Sequence, residues 1–198
     1  MSLRARGLLC VALGLGSPGC ERVQAWFGEP RAEVEAPLQF AAGGVSFDYP
    51  GNWQLHEEIG ESGEVELRTL VLESRGDAMT LIQVFRPALP IDLDEHLALT
   101  MRTLIADFTA RGGGVAEVEA GAVTAFERWW LGAERAARRA SMRVAMPGEE
   151  VASALELHAA QLAGATVLVF TMVPDGGRAR AAAGFDLVLD TLAVADEN

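Results

Sequence analysis

The chain has 198 residues, half of them hydrophobic, with a formal charge of −12 and two cysteines. That length suits one domain with short extras, and the apolar content is ample for a core, which excludes a chain disordered throughout. Binding a phosphate backbone needs a surplus of cations to release counterions, so an acidic chain of this kind excludes nucleic acid as a partner.

The first twenty residues, MSLRARGLLCVALGLGSPGC, place Arg4 and Arg6 ahead of an apolar run from Leu8 to Gly16, followed by small residues. This is the layout of a secretory signal peptide. The run falls short of the roughly twenty residues that cross a bilayer as a helix. Cys20 comes directly after Ser17-Pro18-Gly19, and no later cysteine exists to pair with it. A lone thiol in an exported chain asks for a use. The segment resembles a bacterial lipoprotein leader, although Ser17 stands where leucine is usual and Pro18 follows it. The resemblance implies that residues 1–19 are removed and that Cys20 is acylated, anchoring the chain in a membrane. Plain export with cleavage after Val23-Gln24-Ala25 is the alternative, and it would discard Cys20. Residues 20–37 are charged and lack periodicity, as a tether would.

From Leu38 the pattern becomes short alternating runs divided by turn signals, the mark of strands and hairpins. LQF and VSFDY flank Ala41-Ala42-Gly43-Gly44, and Val45, Phe47 and Tyr49 share a strand face. Tyr49-Pro50-Gly51-Asn52 carries proline and glycine at the central positions of a type II turn, and Trp53 and Leu55 start the next apolar face. Further strands are expected over Val65–Leu72 and Met79–Phe85, with Arg75-Gly76-Asp77 between them. The period then changes: Leu93, Leu97, Met101, Leu104, Ile105 and Phe108 line one face of a helix. Asp92 and Glu95 stand at its N-cap and N3 positions, and Gly112-Gly113-Gly114 closes it.

Strand patterns resume in VAEVEA, VTAFERWWL, the stretch Arg135–Met146, ASALELHAAQL and ATVLVFTMV, with Pro147-Gly148 and Gly164 as breaks. A second helix is expected at the end of the chain, with Ala181, Phe185, Val188, Leu189 and Leu192 on one face. Two helices with single apolar faces need a sheet to cover, so the fold class is α+β: a mainly antiparallel sheet sandwiched with two long helices over residues 38–194, and a tail at 195–198.

Gly44-Val45-Ser46-Phe47-Asp48-Tyr49-Pro50 followed by Trp53 is similar to the first strand and turn of the PsbP-like superfamily, which includes the DcrB-like bacterial lipoproteins. The order of elements from Leu38 to Val194 is similar as well. The resemblance implies an α-β-α sandwich with accessory, assembly or binding roles and no catalysis. Eag-type chaperones, which hold hydrophobic helices, resemble the same architecture.

No residue set announces a chemistry, so no catalytic residue, metal site or cofactor is assigned. Serines are scattered without a G-x-S-x-G elbow. His56, His96 and His158 occur singly and are expected at the surface, His158 pointing with Glu156 away from the apolar side of its strand. His56-Glu57-Glu58 lacks the H-E-x-x-H spacing, because position 60 is glycine. An exposed acidic hairpin flank is expected there.

The residues nearest to function are Trp129 and Trp130, with Arg135, Arg139 and Arg143. Adjacent strand residues point to opposite faces, so either both faces are covered or one indole is an exposed anchor for a partner; burial of both is expected. The arginines share a strand face, where cross-strand pairing with glutamates is expected and anionic lipid head groups are the alternative. The expected role is that of a cell-envelope lipoprotein, facing the periplasm or the exterior, whose domain binds another envelope protein. A secreted or soluble periplasmic form is the alternative location. A chaperone-like or immunity-type binder of hydrophobic helices is the second role, and an envelope hydrolase the third.

Overall fold

MTLIQVFR and TVLVFTMVP have almost no polar face, the pattern of strands covered on both sides. Every residue from Met79 to Val84 and from Thr166 to Thr171 is buried. The structure, a computed structural model, describes residues 30–62, 64–76, 78–110, 117–146, 149–162 and 164–195. The expected leader, Cys20, Gly112–Gly114, Pro147-Gly148 and most of the C-terminal tail lie outside the described residues.

In chain order the elements are β1 (Leu38–Ala42), β2 (Val45–Tyr49), β3 (Gln54–Ser62), β4 (Val65–Glu73), β5 (Met79–Arg86), α1 (Leu93–Ala110), β6 (Glu117–Ala120), β7 (Thr124–Trp130), β8 (Ala133–Met146), β9 (Glu149–Gln161), β10 (Thr166–Pro174), α2 (Arg178–Thr191) and β11 (Ala193–Val194). An eight-stranded sheet runs β3-β4-β5-β10-β9-β8-β6, with β7 also paired to β8, and a three-stranded sheet runs β1-β2-β11. Each pairing is antiparallel. The expected strands and helices are present, and the fold is mostly antiparallel sheet with two helices.

Alternation along β10 divides the core in two. Leu168 and Phe170 join Leu97, Met101 and Leu104 of α1, whereas Val167, Val169 and Val173 join Ala181, Val188 and Leu189 of α2. The second cluster also takes in Val45, Phe47 and Trp53, so the small sheet lies on the α2 side. VSFDYPGNW is therefore scaffold: Phe47 and Trp53 are buried, and the Trp53 indole meets Phe185 of α2 edge-on at 5.4 Å.

Asp92 caps α1 as its position predicts, accepting from the backbone N–H groups of Asp94 (2.9 Å) and Glu95 (3.0 Å). The β1–β2 turn uses Gly43 and Gly44 at φ +52° and +68°, a conformation in which a Cβ is strained. Arg86 reaches from the large sheet to this turn, donating to the Gly43 carbonyl at 3.1 Å.

Three expectations are corrected. The turn after β2 is not type II over Tyr49–Asn52. Its closing bond runs from Trp53 N–H to the Pro50 carbonyl at 3.0 Å, and Gly51 lies outside the left-handed region. The cause is the preceding segment: Gly51 N–H donates to the Glu33 carbonyl and Asn52 Nδ2 to the Arg31 carbonyl. By the same contacts, and by the bond from Ala32 N–H to the Arg180 carbonyl, residues 31–33 are docked on the domain. The described end of the expected tether is thus part of the fold. The described chain also does not end in helix. α2 stops at Thr191, whose hydroxyl accepts from Asp48 N–H at 2.8 Å, and β11 adds to the edge of β2.

Candidate interaction site on the β7–β8 arm

Phe126, Arg128 and Trp130 alternate with Glu127 and Trp129 along β7, and the register with β8 sets Trp129 opposite Glu134 and Trp130 opposite Ala133. The ladder between β8 and β9 begins only at Ala137, opposite His158. Residues 133–136 therefore pair with β7 alone, and the tip of the hairpin is a two-stranded arm. Its turn is Leu131-Gly132, with φ of 47° and 72°. Positive φ at both central residues is the geometry whose twist matches the flanking strands, here achieved with a leucine in the strained region.

One face of the arm is pinned. Trp130 is 2% exposed in the α2-side core, and Leu131 packs against the same cluster. Arg128 donates to Asp186 (2.9 Å) and Asp190 (3.2 Å) on successive turns of α2. Arg135 braces the turn itself, with Nε 3.3 Å from the Trp130 carbonyl and a terminal nitrogen 3.2 Å from that of Leu131. The other face is open: Trp129 is 70% exposed, with Glu127, Glu134 and Ala136 also exposed around it. The expectation that both indoles are buried fails for Trp129. α2 covers one side of the arm, while α1 docks further along β8, where Arg138 holds Asp94 bidentately at 2.7 and 3.0 Å.

Two of the three arginines on the expected basic face lie beside glutamates. Arg139 stands in register with Glu156 and donates to it at 2.8 Å, while Arg143 lies 3.8 Å from Glu150 with both side chains well exposed. Arg139 thus has a close cross-strand carboxylate partner and Arg143 a more distant, exposed one, while Arg135 contacts the turn carbonyls. Cys20 lies outside the described residues.

His158 is the residue whose place the sequence reading missed. It shares a face with Glu156, as alternation requires, but that face is covered at His158 and the ring has no exposed surface. Phe126 meets it edge-on at 5.6 Å across Ala137, which occupies the β8 position between them in the cross-strand row. Trp130 also makes a T-shaped contact with it at 6.0 Å. Nε2 is 3.5 Å from Glu156 Oε2, and neither ring nitrogen has a well-formed hydrogen bond among the described residues. The His158 imidazole and the Arg139 guanidinium hold the Glu156 carboxyl down at about 2, against the opposing effect of burial. Arg178, at the start of α2, adds a second guanidinium at 3.6 Å. Phe126, Trp130, Glu156 and His158 could have been suspected from FERWW and ELH, but only the pairing of their strands brings them together.

His56 is exposed, 4.0 Å from Glu73, and His96 is half-buried, its pKa lowered by that burial. Among the described residues no group of His, Cys, Asp and Glu side chains could hold a metal ion, and no helix is long and apolar enough to cross a membrane.

No family model and no curated protein matches the chain. Among solved structures it is similar to the solution structure of cyanobacterial PsbP (CyanoP) from Synechocystis sp. PCC 6803, at 15% identity and a TM-score of 0.48, over 91% of this chain and 99% of that one.

Proposed function

We propose that this protein is a cell-envelope lipoprotein, anchored through Cys20, whose PsbP-like domain is a non-catalytic binding module for another envelope protein. The observation that carries the reading is the exposed indole of Trp129 on an arm whose opposite face is held in the core. A large aromatic presented on a rigid element is the residue class that dominates binding hot spots, and pinning the arm beforehand removes much of the ordering cost of association. A free-standing indole contributes nothing to the core beneath it. The leader motif supports the anchor, and the absence of any assembled nucleophile, base and acid in the sequence motifs supports a role without catalysis.

The test is crosslinking in intact envelopes followed by capture of wild type and of Trp129→Ala. A specific envelope protein is expected with wild type and at least about tenfold less with the variant, the loss of one hot-spot aromatic. Capture that is indifferent to Trp129 counts against the arm as the site. For the anchor, mass spectrometry of the native N-terminus is expected to find an acylated Cys20; an unmodified N-terminus at Trp26 refutes it.

A further inference from the structure

The open face of the arm carries one aromatic ring between two carboxylates. Glu134 is the register partner of Trp129, and Glu127 lies two residues before it on the same strand face. Directly opposed Cβ atoms are about 5 Å apart, and two steps along a strand span about 7 Å, so a group seated on the indole is within reach of both acids. Ala136, opposite Glu127, leaves that side of the ring uncrowded. Neither Glu127 nor Glu134 has an ion-pair partner among the described residues. The arginines around them are committed elsewhere: Arg128 to α2, Arg135 to the turn carbonyls and Arg138 to Asp94.

We propose that Trp129, Glu127 and Glu134 form a receptor for a cationic side chain, lysine or arginine, presented by the partner protein. The proposal rests on the binding-module reading above and names the chemistry of its partner. A tryptophan face attracts a cation through its ring quadrupole more strongly than the other aromatic side chains do, and the flanking carboxylates supply the full charges that a ring alone lacks. An anionic partner is excluded from the same place by like charge. The overall charge of −12 acts in the same sense at long range, steering a basic surface toward the molecule and raising the encounter rate. Because the buried Trp130 and the Arg128 pairs hold the arm, the ring and both acids stand in position before the partner arrives.

The experiment uses the full chain labelled with nitrogen-15 at its four tryptophans, the Trp129 indole signal being assigned by its loss in Trp129→Phe. The probe is a blocked heptapeptide with a central Arg-Lys-Arg; controls are the same peptide with three glutamines and vesicles of phosphatidylcholine. The Trp129 signal alone is expected to shift with the basic peptide, and the affinity to fall about tenfold or more in Glu127→Gln/Glu134→Gln and with added salt. No shift at millimolar peptide, or equal response to the glutamine peptide, overturns the proposal. A response to the vesicles alone also overturns it and assigns the site to a choline head group. In the crosslinking experiment, partner capture that needs Trp129 but not the two glutamates leaves the binding module standing and removes the cation receptor. Capture that needs neither removes both.

Discussion

Trp129 and Trp130 are chain neighbours that occupy opposite worlds: one indole is 70% exposed and the other 2%. The difference predicts opposite responses to truncation. Trp130→Ala removes a buried aromatic that touches His158 and the α2-side core, and is expected to cost about 3–5 kcal/mol in urea unfolding. Trp129→Ala is expected within about 0.5 kcal/mol of wild type, as for surface changes without special contacts. A loss of several kcal/mol in Trp129→Ala would mean that the indole is covered and the arm is not a free surface.

Ala137 has no exposed surface and holds the strand position between Phe126 and His158, whose rings meet edge-on at 5.6 Å. Any larger side chain must displace one ring or the other. Ala137→Leu is expected to destabilise the fold by about 1–3 kcal/mol, the usual cost of overpacking. Thermal unfolding of that variant beside Ala136→Leu, on the exposed face, is the check; equal effects would place the two positions in the same environment.

Glu156 stays ionised far into acid because His158 and Arg139 favour its carboxylate. A carboxyl depressed from its ordinary 4.5 to about 2 contributes stability that is complete above the unfolded value and is lost as pH falls through about 2. Its share is roughly 2–3 kcal/mol, partly screened because the group is not fully enclosed. Glu156→Gln is therefore expected to be less stable at pH 7 and to show a flatter decline between about pH 5 and 2. Denaturant melts across that window measure it, and parallel curves for variant and wild type would contradict the assignment.

The His96 pKa is lowered as well, by burial and not by partners, and it too costs stability in acid. Burial lowers its pKa, so the unfolded chain takes up the proton first, and stability declines as pH falls below the ordinary histidine value of 6.5. His96→Gln is expected to keep its stability from about pH 7 to 5, where wild type loses some. A wild-type stability that is level over this range would count against the burial.

Gly184 lies inside α2, where glycine costs about 1 kcal/mol relative to alanine. The reason for its presence is contact: a Cβ there would stand 2.7 Å from Trp53, 2.8 Å from Pro50 and 2.9 Å from Ala32. Gly184→Ala is accordingly expected to destabilise despite its better helix propensity, by about 1–3 kcal/mol. A gain in melting temperature would show that α2 can move away from the β2–β3 turn without loss.

Much of this architecture is legible in local pattern. The two-residue alternation around Phe47, the continuous apolar runs of β5 and β10, the 3.6-residue stripe of α1 and its cap at Asp92 each follow from the chain's own geometry. Alternation likewise determines that Trp129 and Trp130 face opposite ways and that His158 shares a side with Glu156. What parity does not contain is the cover on each side. That depended on distant partners: α2 drawn to the arm by Arg128, Phe126 brought across Ala137 by the β7–β8 register, and α1 held to β8 at Asp94 rather than over Trp129. The sequence by itself determined the elements and the face each residue takes, because those depend on the periodicity of one segment. Only the tertiary structure decided which tryptophan is core and which is surface, because burial is a property of two segments in contact.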